Sequence, residues 1–327
     1  MYNQTNRTRQ GYVLRNILKL AGLFFMGESV NYNKPYLSVA DQIALLKSRG
    51  IYIADEAIAT RYLQHTNYVR LRPYWYSFKA NHTNHQFKPN TTFAAVLNLY
   101  LFDRALRFHV AQAIEVIEIS LRTQFAYQFA QRHGSFAYAD VAYSKNRRYF
   151  QKNLDQLQQE ISRSNEVFIK HYSRKYTSPI LPPIWMACEV MSFGLLSRWY
   201  KNLKSGQVRQ AIAHVYDVDN RSLDGILHNF TELRNVIAHH GRLWDRNIIF
   251  RVPLPQSKPR HLHASMNVNQ QDALYNSLVM MLHFLDVIQP GHTWRWQLIQ
   301  LLDQYQVEIA PMGFPTHWRT LPIWKVN

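Results

Sequence analysis

The chain has one cysteine, Cys188, among its 327 residues. No disulfide can close within it, and a reducing cytoplasm is the compartment that fits. Cys188 lies in the apolar run 184–190, where a buried structural thiol is expected rather than a nucleophile. Glycine, with 11 residues, and proline, with 13, are also scarce. Few turns are marked, which argues against an all-β chain and toward long helices. Nowhere do 18 apolar residues run together, so no transmembrane helix is expected. The first apolar stretch is broken by Arg15 and Lys19 and makes a poor signal peptide. A short amphipathic helix over residues 10–27, packed on the body of the protein, is the expectation there. A Gly-rich phosphate loop, a His-Glu-x-x-His motif and a cysteine pair are all missing, so neither a metal nor a cofactor is expected. His261 and His263, with His240 upstream, have no acidic partner in their loop and are not read as ligands.

Acidic residues are the other shortage. Asp and Glu number 21 against 38 Lys and Arg, a net charge of +17. An excess of that size attracts polyanions, with nucleic acid the first candidate and an anionic membrane surface the second. Residues 57–102 hold Arg61, Arg70, Arg72, Lys79 and Lys88 and no acid at all, interleaved with Tyr62, Tyr68, Tyr74, Trp75, Tyr76, Phe78, Phe87 and Phe93. Exposed, such a block would hold phosphates and stack on bases. Folded inward, the same aromatics would be core. Residues 246–270 are a second acid-free stretch and read as a basic, proline-containing loop.

What is present is mostly helical. The 47% of hydrophobic residues can form a sizeable core. Ser38, followed by Asp41 and Gln42 and closed by Lys47, Arg49 and Gly50, predicts a helix within 36–50. Asp55 and Glu56 start a second over 54–64. The strongest segment is 97–131, with Leu99, Phe102, Leu106, Val110, Ile114, Ile117, Leu121 and Phe125 on one side. Asp103, Arg107, Glu115, Glu118 and Arg122 fall within about 120° on the other. That polar side is either a solvated face or the wall of a groove or subunit contact. Further helices are expected over 145–162, over 184–203 with a break near Gly194, over 221–240 and over 271–288. The segment before Pro182-Pro183 reads as loop, and the chain after 288 as a Trp- and Pro-containing tail. No internal repeat or clear linker appears, so one all-α unit is expected. It divides into a basic leader over 1–33, a helical body over 34–246, and a loop, helix and tail over 247–327.

The stretch from Leu233 to Arg246 carries the chemistry. Two histidines, His239 and His240, sit at the end of an apolar helix with Arg234, Arg242 and Arg246 around them. Gly241 is the natural residue just past the helix end. Asn235 and His239 are four apart and share a face. Arg234 and His239 are five apart, about 140° around the helix. They converge only if the arginine wraps, the helix end is distorted, or two subunits share the site. A histidine with a pKa near about 6.5 can take the proton of a ribose 2′-OH or give one to the departing 5′-oxygen. An arginine can hold the phosphate and stabilise its developing charge. Metal-independent RNA cleavage is the chemistry that suits this set. A structural or metal-binding His pair is the alternative reading of the spacing.

The stretch resembles the Arg-x4-His motif of the HEPN superfamily, in the form carried by abortive-infection (Abi) proteins of the AbiD/AbiF type. The matching residues are Arg234, Asn235, Ala238, His239, His240, Arg242, Leu243 and Trp244. Other blocks resemble the same family in order. They are 34–38 with Gln42 and 45–50, Asn67-Tyr68 with Arg70-Leu71 and Tyr74-Trp75-Tyr76, Phe102-Asp103-Arg104 with Leu106-Arg107, Ile117-Glu118 and Leu121-Arg122, and Pro183-Ile184-Trp185-Met186 with Glu189 and Ser192-Phe193-Gly194. The resemblance spans residues 34–246. It departs at Val236-Ile237, where relatives often carry a cysteine before Ala-His-His; that position should pack rather than react.

The resemblance implies a HEPN-like helical bundle with N- and C-terminal extensions and a role in phage resistance. It implies action on RNA as an endoribonuclease that leaves a 2′,3′-cyclic phosphate and arrests growth, working as a homodimer. Arg234 and His239 would be catalytic and Asn235 supporting. Arg70, Arg72, Arg104, Arg107, Arg122, His240, Arg242 and Arg246 are the candidate RNA contacts. The alternative is a non-catalytic RNA-binding or RNA-regulated module of an abortive-infection or toxin–antitoxin system. Partners would be target RNA and a regulatory small RNA, without a membrane.

Overall fold

Ser38 holds the chain extended, its hydroxyl accepts from the Asp41 N–H at 3.1 Å, and the Asp41 carboxylate accepts from the Ser38 N–H at 3.2 Å. This reciprocal cap starts helix α1 (Val39–Ser48) where the sequence placed a start. The structure, a computed structural model, describes residues 33–325 except 81, 82, 84, 257 and 258. The helix expected over 10–27 lies outside the described residues. Asp55 caps α2 (Glu56–Thr66) by accepting from the Ile58 N–H at 3.0 Å. Asn67, at φ +69°, separates it from α3 (Tyr68–Trp75).

The spine is α4 (Phe93–His133), 41 residues and about 60 Å long. All eight positions of its apolar stripe are buried. Around it lie α5 (Arg147–Arg163), α6 (Val167–Lys175), α7 (Ile184–Val190), α8 (Phe193–Asn202), α9 (Gly206–Val215), α10 (Asn220–Ala238), α11 (Arg260–Ser265), α12 (Tyr275–Ile288) and α13 (Trp294–Tyr305). Helices α3, α7, α9, α10, α12 and α13 all pack on α4. No strand forms among the described residues, only isolated bridges. The fold is all-α. No helix among those residues is long and apolar enough to cross a membrane.

Five helices stand where none was read: α3 in the basic, aromatic block, α11 in the expected basic loop, and α6, α9 and α13. Helix α6 interrupts the expected loop, held by the buried Ile169 and Tyr172. Helix α9 occupies a segment the periodicity left unassigned. Helix α13 occupies part of the expected tail, and its Trp294, Leu298 and Leu302, spaced by four, face inward. A tail of tryptophans is therefore core: Trp318 and Trp324 pack against each other and on Phe314. The aromatics of 57–102 also go mostly inward. Tyr74, Trp75, Phe87 and Phe93 are buried, Tyr62, Tyr68 and Phe78 pack on the core, and Tyr76 is exposed. Burying about 150–250 Å² per ring outweighs any gain from leaving them wet. Cys188 is fully buried, and burial pushes its thiol up, away from reactivity.

Helix α13 is joined to α4 by His109 and Trp294. Their rings stack at 4.4 Å, the Trp294 indole donates to the His109 carbonyl at 2.8 Å, and His109 Nε2 donates to the Trp294 carbonyl at 3.0 Å. Burial pushes the His109 imidazole down to about 4 from 6.5. The unfolded chain then binds a proton that the folded chain refuses. Stability contributed by this group is complete above pH 6.5 and is lost as pH falls toward 4, by up to about 3 kcal/mol. Urea denaturation across that range should slope less steeply with pH in His109→Gln than in wild type; equal slopes would remove His109 from the explanation.

Candidate functional site

Helix α10 carries the central motif and ends at Ala238, two residues before the sequence reading placed its end. His239 is its C-cap, with its N–H donated to the Asn235 carbonyl at 3.1 Å. His240, not Gly241, adopts the left-handed conformation, at φ +54°. The His240 N–H reaches the Ile237 carbonyl at 2.9 Å and the Gly241 N–H reaches the Val236 carbonyl at 2.7 Å. This pair of bonds closes the helix as a Schellman motif. Gly241 fits for a different reason than expected: a Cβ there would lie 3.0 Å from Val236 Cγ1 and 3.1 Å from the Val236 carbonyl oxygen, so Val236 would have to give way. From α3, the Arg70 guanidinium donates to the His240 carbonyl at 2.8 Å and pins the turn from outside.

The loop after the turn is held by Asp103. This carboxylate is fully buried. One oxygen accepts from the Leu243 and Trp244 N–H groups at 2.9 and 2.7 Å. The other accepts from the Tyr74 hydroxyl at 2.7 Å and from Arg107, one turn along α4. Burial pushes the Asp103 carboxyl up, while the Trp244 N–H, Arg107, Tyr74 and the Leu243 N–H pull it down. The Tyr74 phenol is pushed up by burial and by Asp103. Leu243 and Trp244 are buried, and the Trp244 indole donates to the Glu308 carbonyl at 2.8 Å. The constellation thus joins α3, α4 and the segment before the C-terminal turns around the end of α10.

Arg107 is accordingly a correction. It was a candidate RNA contact, but it is buried and committed to Asp103. Of the two readings of the polar side of α4, the solvated face fails at this end, because α3 and the 241–246 loop cover Asp103 and Arg107. Further along α4, Glu115, Glu118 and Arg122 do line a groove. Arg122 pairs with Glu118 and donates to the Met191 and Glu189 carbonyls at 2.8 and 3.0 Å, so it fastens α4 to the turn between α7 and α8.

Arg234, Asn235 and His239 are exposed, but Arg234 lines a different groove from the other two. Arg234 lines a groove of about 430 Å³ between α10 and α4, with Glu115, Glu118, Ile119 and Arg122. Asn235 and His239 line another, of about 440 Å³, with His228, Thr231, Arg246 and Phe250. The 140° between positions 234 and 239 survives in the fold. Around the helix end the structure gathers Arg70, His239, His240, Arg242 and Arg246. Arg242 lies over the Trp244 ring at 5.8 Å and donates to the Asp245 carbonyl at 3.0 Å. The Arg246 Nε is buried with no partner among the described residues. Arg104 is exposed above Phe108 at 5.9 Å. Arg72 is exposed beside Lys79, whose ammonium is pushed down by burial and then by Arg72. No cluster of three or more His, Cys, Asp or Glu among the described residues could hold a metal ion.

The family model for Abi-like protein matches residues 61–245. The chain belongs to that family. The match opens inside α2 and closes at Asp245, so it contains Tyr74, Asp103, Arg107 and the motif of α10. Residues 34–60, which also resembled the family, fall before it. No curated protein and no solved structure matches the chain. Membership in the Abi-like family points to abortive infection, a form of phage defence. The residue that sequence reasoning undervalued in this Abi-like protein is Asp103. Its signal was available: it is the sole acid in residues 57–114, flanked by five arginines at 61, 70, 72, 104 and 107.

Removing the carboxylate would strand Arg107 and two backbone N–H groups. Asp103→Ala should cost about 3–5 kcal/mol in urea denaturation. Replacing both partners, as Asp103→Ala with Arg107→Met, should recover part of that loss. If the double variant is as unstable as the sum of the singles, the two are not coupled.

Proposed function

We propose that this Abi-like protein is a HEPN-type phage-defence factor acting on RNA in the cytoplasm, as a metal-independent endoribonuclease formed by two copies of the chain. The observation that carries this reading is the helix end itself. His239 and Asn235 are exposed on one face of a terminus fixed by the Schellman closure, by Arg70 and by Asp103, with Arg242 and Arg246 beside them. His239 accepts the proton of a ribose 2′-OH, the 2′-oxygen bonds to phosphorus, and the bond to the 5′-oxygen breaks. The departing oxygen takes a proton, leaving a 2′,3′-cyclic phosphate and a 5′-hydroxyl. Arg234 stabilises the charge on the phosphoryl oxygens, and Asn235 orients the histidine or the phosphate. Because Arg234 and His239 line grooves on different sides of α10, the arginine that completes a site comes from the second copy. Cleavage of a cellular RNA would arrest growth, under control of a regulatory small RNA or antitoxin.

A second reading has its own support. The separation of Arg234 from His239 within one chain is also what a non-catalytic RNA-binding or RNA-regulated module would tolerate.

RNA cleavage in EDTA, with identification of product ends, separates the two. Wild type should yield cyclic phosphate ends, and His239→Ala should be slower by about 10²–10⁴-fold. Mixing Arg234→Ala with His239→Ala should restore about a quarter of wild-type activity, since random exchange makes half the dimers mixed and each mixed dimer keeps one intact site. RNA binding without cleavage by any form would favour the binding module.

A further inference from the structure

A third concavity, of about 540 Å³, lies where α5, α8 and α10 meet, and sequence reading assigned it nothing. Its walls include Lys145, Tyr149, Arg198, Lys201 and His228. None of the three cations has a carboxylate partner among the described residues. Lys145 Nζ donates to the Lys201 carbonyl at 3.4 Å, and Arg198 donates to the neutral side chains of Asn153, at 3.3 Å, and Gln156. The one acid on the wall, Asp224, already faces Arg209 at 3.4 Å. Cations on the wall therefore outnumber acids three to one. Lys145 is pushed down by burial and then by Arg209, against Asp224, and His228 by burial and then by Lys201, against Glu232 and Asp224.

The backbone on either side of the cavity is clamped, while the three cationic side chains are exposed. Asn202, buried at the end of α8, accepts the Asn146 N–H and donates to the Asn146 carbonyl, both at 3.0 Å. The Lys145 N–H donates to the Asn202 carbonyl at 2.8 Å. Lys145 and Lys201 thus both flank one clamp, which fixes the spacing of their backbones.

The cavity also leads somewhere. His228 and Thr231 belong both to it and to the groove that contains His239. Positions 228, 231, 235 and 239 fall within about 80° of α10 and span about 16 Å of its axis. At the junction the Phe250 ring stacks on His228 at 3.5 Å and keeps 40% of its surface exposed. Tyr149, on the cavity rim, is 60% exposed. Glu232 lies on the track, but its carboxylate accepts the Ile249 and Phe250 N–H groups at 3.2 and 2.9 Å. Cations in a fixed cavity, exposed rings beside them and an extended track are the elements of single-strand recognition, in which splayed bases stack while phosphates sit on basic groups.

We infer that the cavity of Lys145, Arg198 and Lys201 is a phosphate subsite for single-stranded RNA, holding the strand a few nucleotides from the linkage at His239. The inference rests on the RNA reading above. A mononucleotide would fill the cavity and leave the track empty, so free nucleotide is the competing source of the same phosphate chemistry.

The test uses the full chain with His239→Ala, which keeps RNA uncut. Binding of a single-stranded RNA oligomer is followed by fluorescence anisotropy at several salt concentrations. Lys145→Glu with Lys201→Glu is compared with Lys170→Glu with Lys175→Glu, an equal charge change on the exposed face of α6. The cavity pair should weaken binding at least about tenfold and lower the log–log salt slope by about 1.4, or 0.7 for each lost contact. The control pair should weaken it less than about threefold. Lys145→Gln with Lys201→Gln, with thermal melting checked, serves if the reversal does not fold, and should show the same order at smaller size. Equal weakening by both pairs would overturn the inference, as would cavity-dependent binding of uridine monophosphate with RNA binding unchanged. If His239-dependent cleavage is present but cavity variants bind RNA like the controls, the inference alone falls. If no form cleaves and RNA binding still depends on the cavity, the nuclease reading alone falls. Absence of RNA binding removes both.

Discussion

A buried carboxylate stands or falls by its partners. Taking Asp103 out of water costs several kcal/mol, and the cost is offset only when donors surround both oxygens. Here two backbone N–H groups, a tyrosine hydroxyl and an arginine do so. Because two of those donors belong to Leu243 and Trp244, the carboxylate fixes the path of the chain just past α10. Because Tyr74 belongs to α3, the same group also places the helix from which Arg70 reaches the His240 carbonyl. The end of α10 is exposed, yet its position is set from the core.

That arrangement resolves an apparent conflict between rigidity and access. Exposed helix ends usually fray, since their last carbonyls lack partners. In this protein the Schellman bonds satisfy the Ile237 and Val236 carbonyls, Arg70 holds the His240 carbonyl just beyond them, and His240 accepts a left-handed backbone to make the closure possible. His239 and Asn235 are left facing outward on a terminus whose turn is held by the protein itself. A catalytic or binding side chain benefits from such support, because misplacement of about 1 Å can cost orders of magnitude in rate.

The net charge of +17 is also less uniform than it looks. Several arginines are internal fasteners: Arg107 on Asp103, Arg122 on Glu118 and the 189–191 carbonyls, Arg209 on Asp224, Arg295 on Asp286. Arginine suits this work because its planar fork satisfies several acceptors at once. Among the described residues, Lys145, Arg198 and Lys201 are cations without an acidic partner, and they lie elsewhere. An excess of positive charge therefore says that a polyanion is attracted, while burial and pairing decide which residues meet it.

The sequence by itself determined whatever depends on neighbours along the chain. Ser38 with Asp41, Asp55, the stripe of α4 and the break between α7 and α8 are local matters of capping and period, and they were legible. So was the motif of α10, including the angle that keeps Arg234 from His239, because helical geometry fixes it. Tertiary structure decided the rest. Helices α6, α9 and α13 are short, and their few buried side chains give too little periodic signal until a core exists to receive them. Asp103 and Arg107 read as a polar face because an i,i+4 pair looks the same wet or buried; only the covering α3 and 241–246 loop removed it from water. The cavity of Lys145, Arg198 and Lys201 joins residues more than fifty positions apart, a proximity that only packing of α5, α8 and α10 creates.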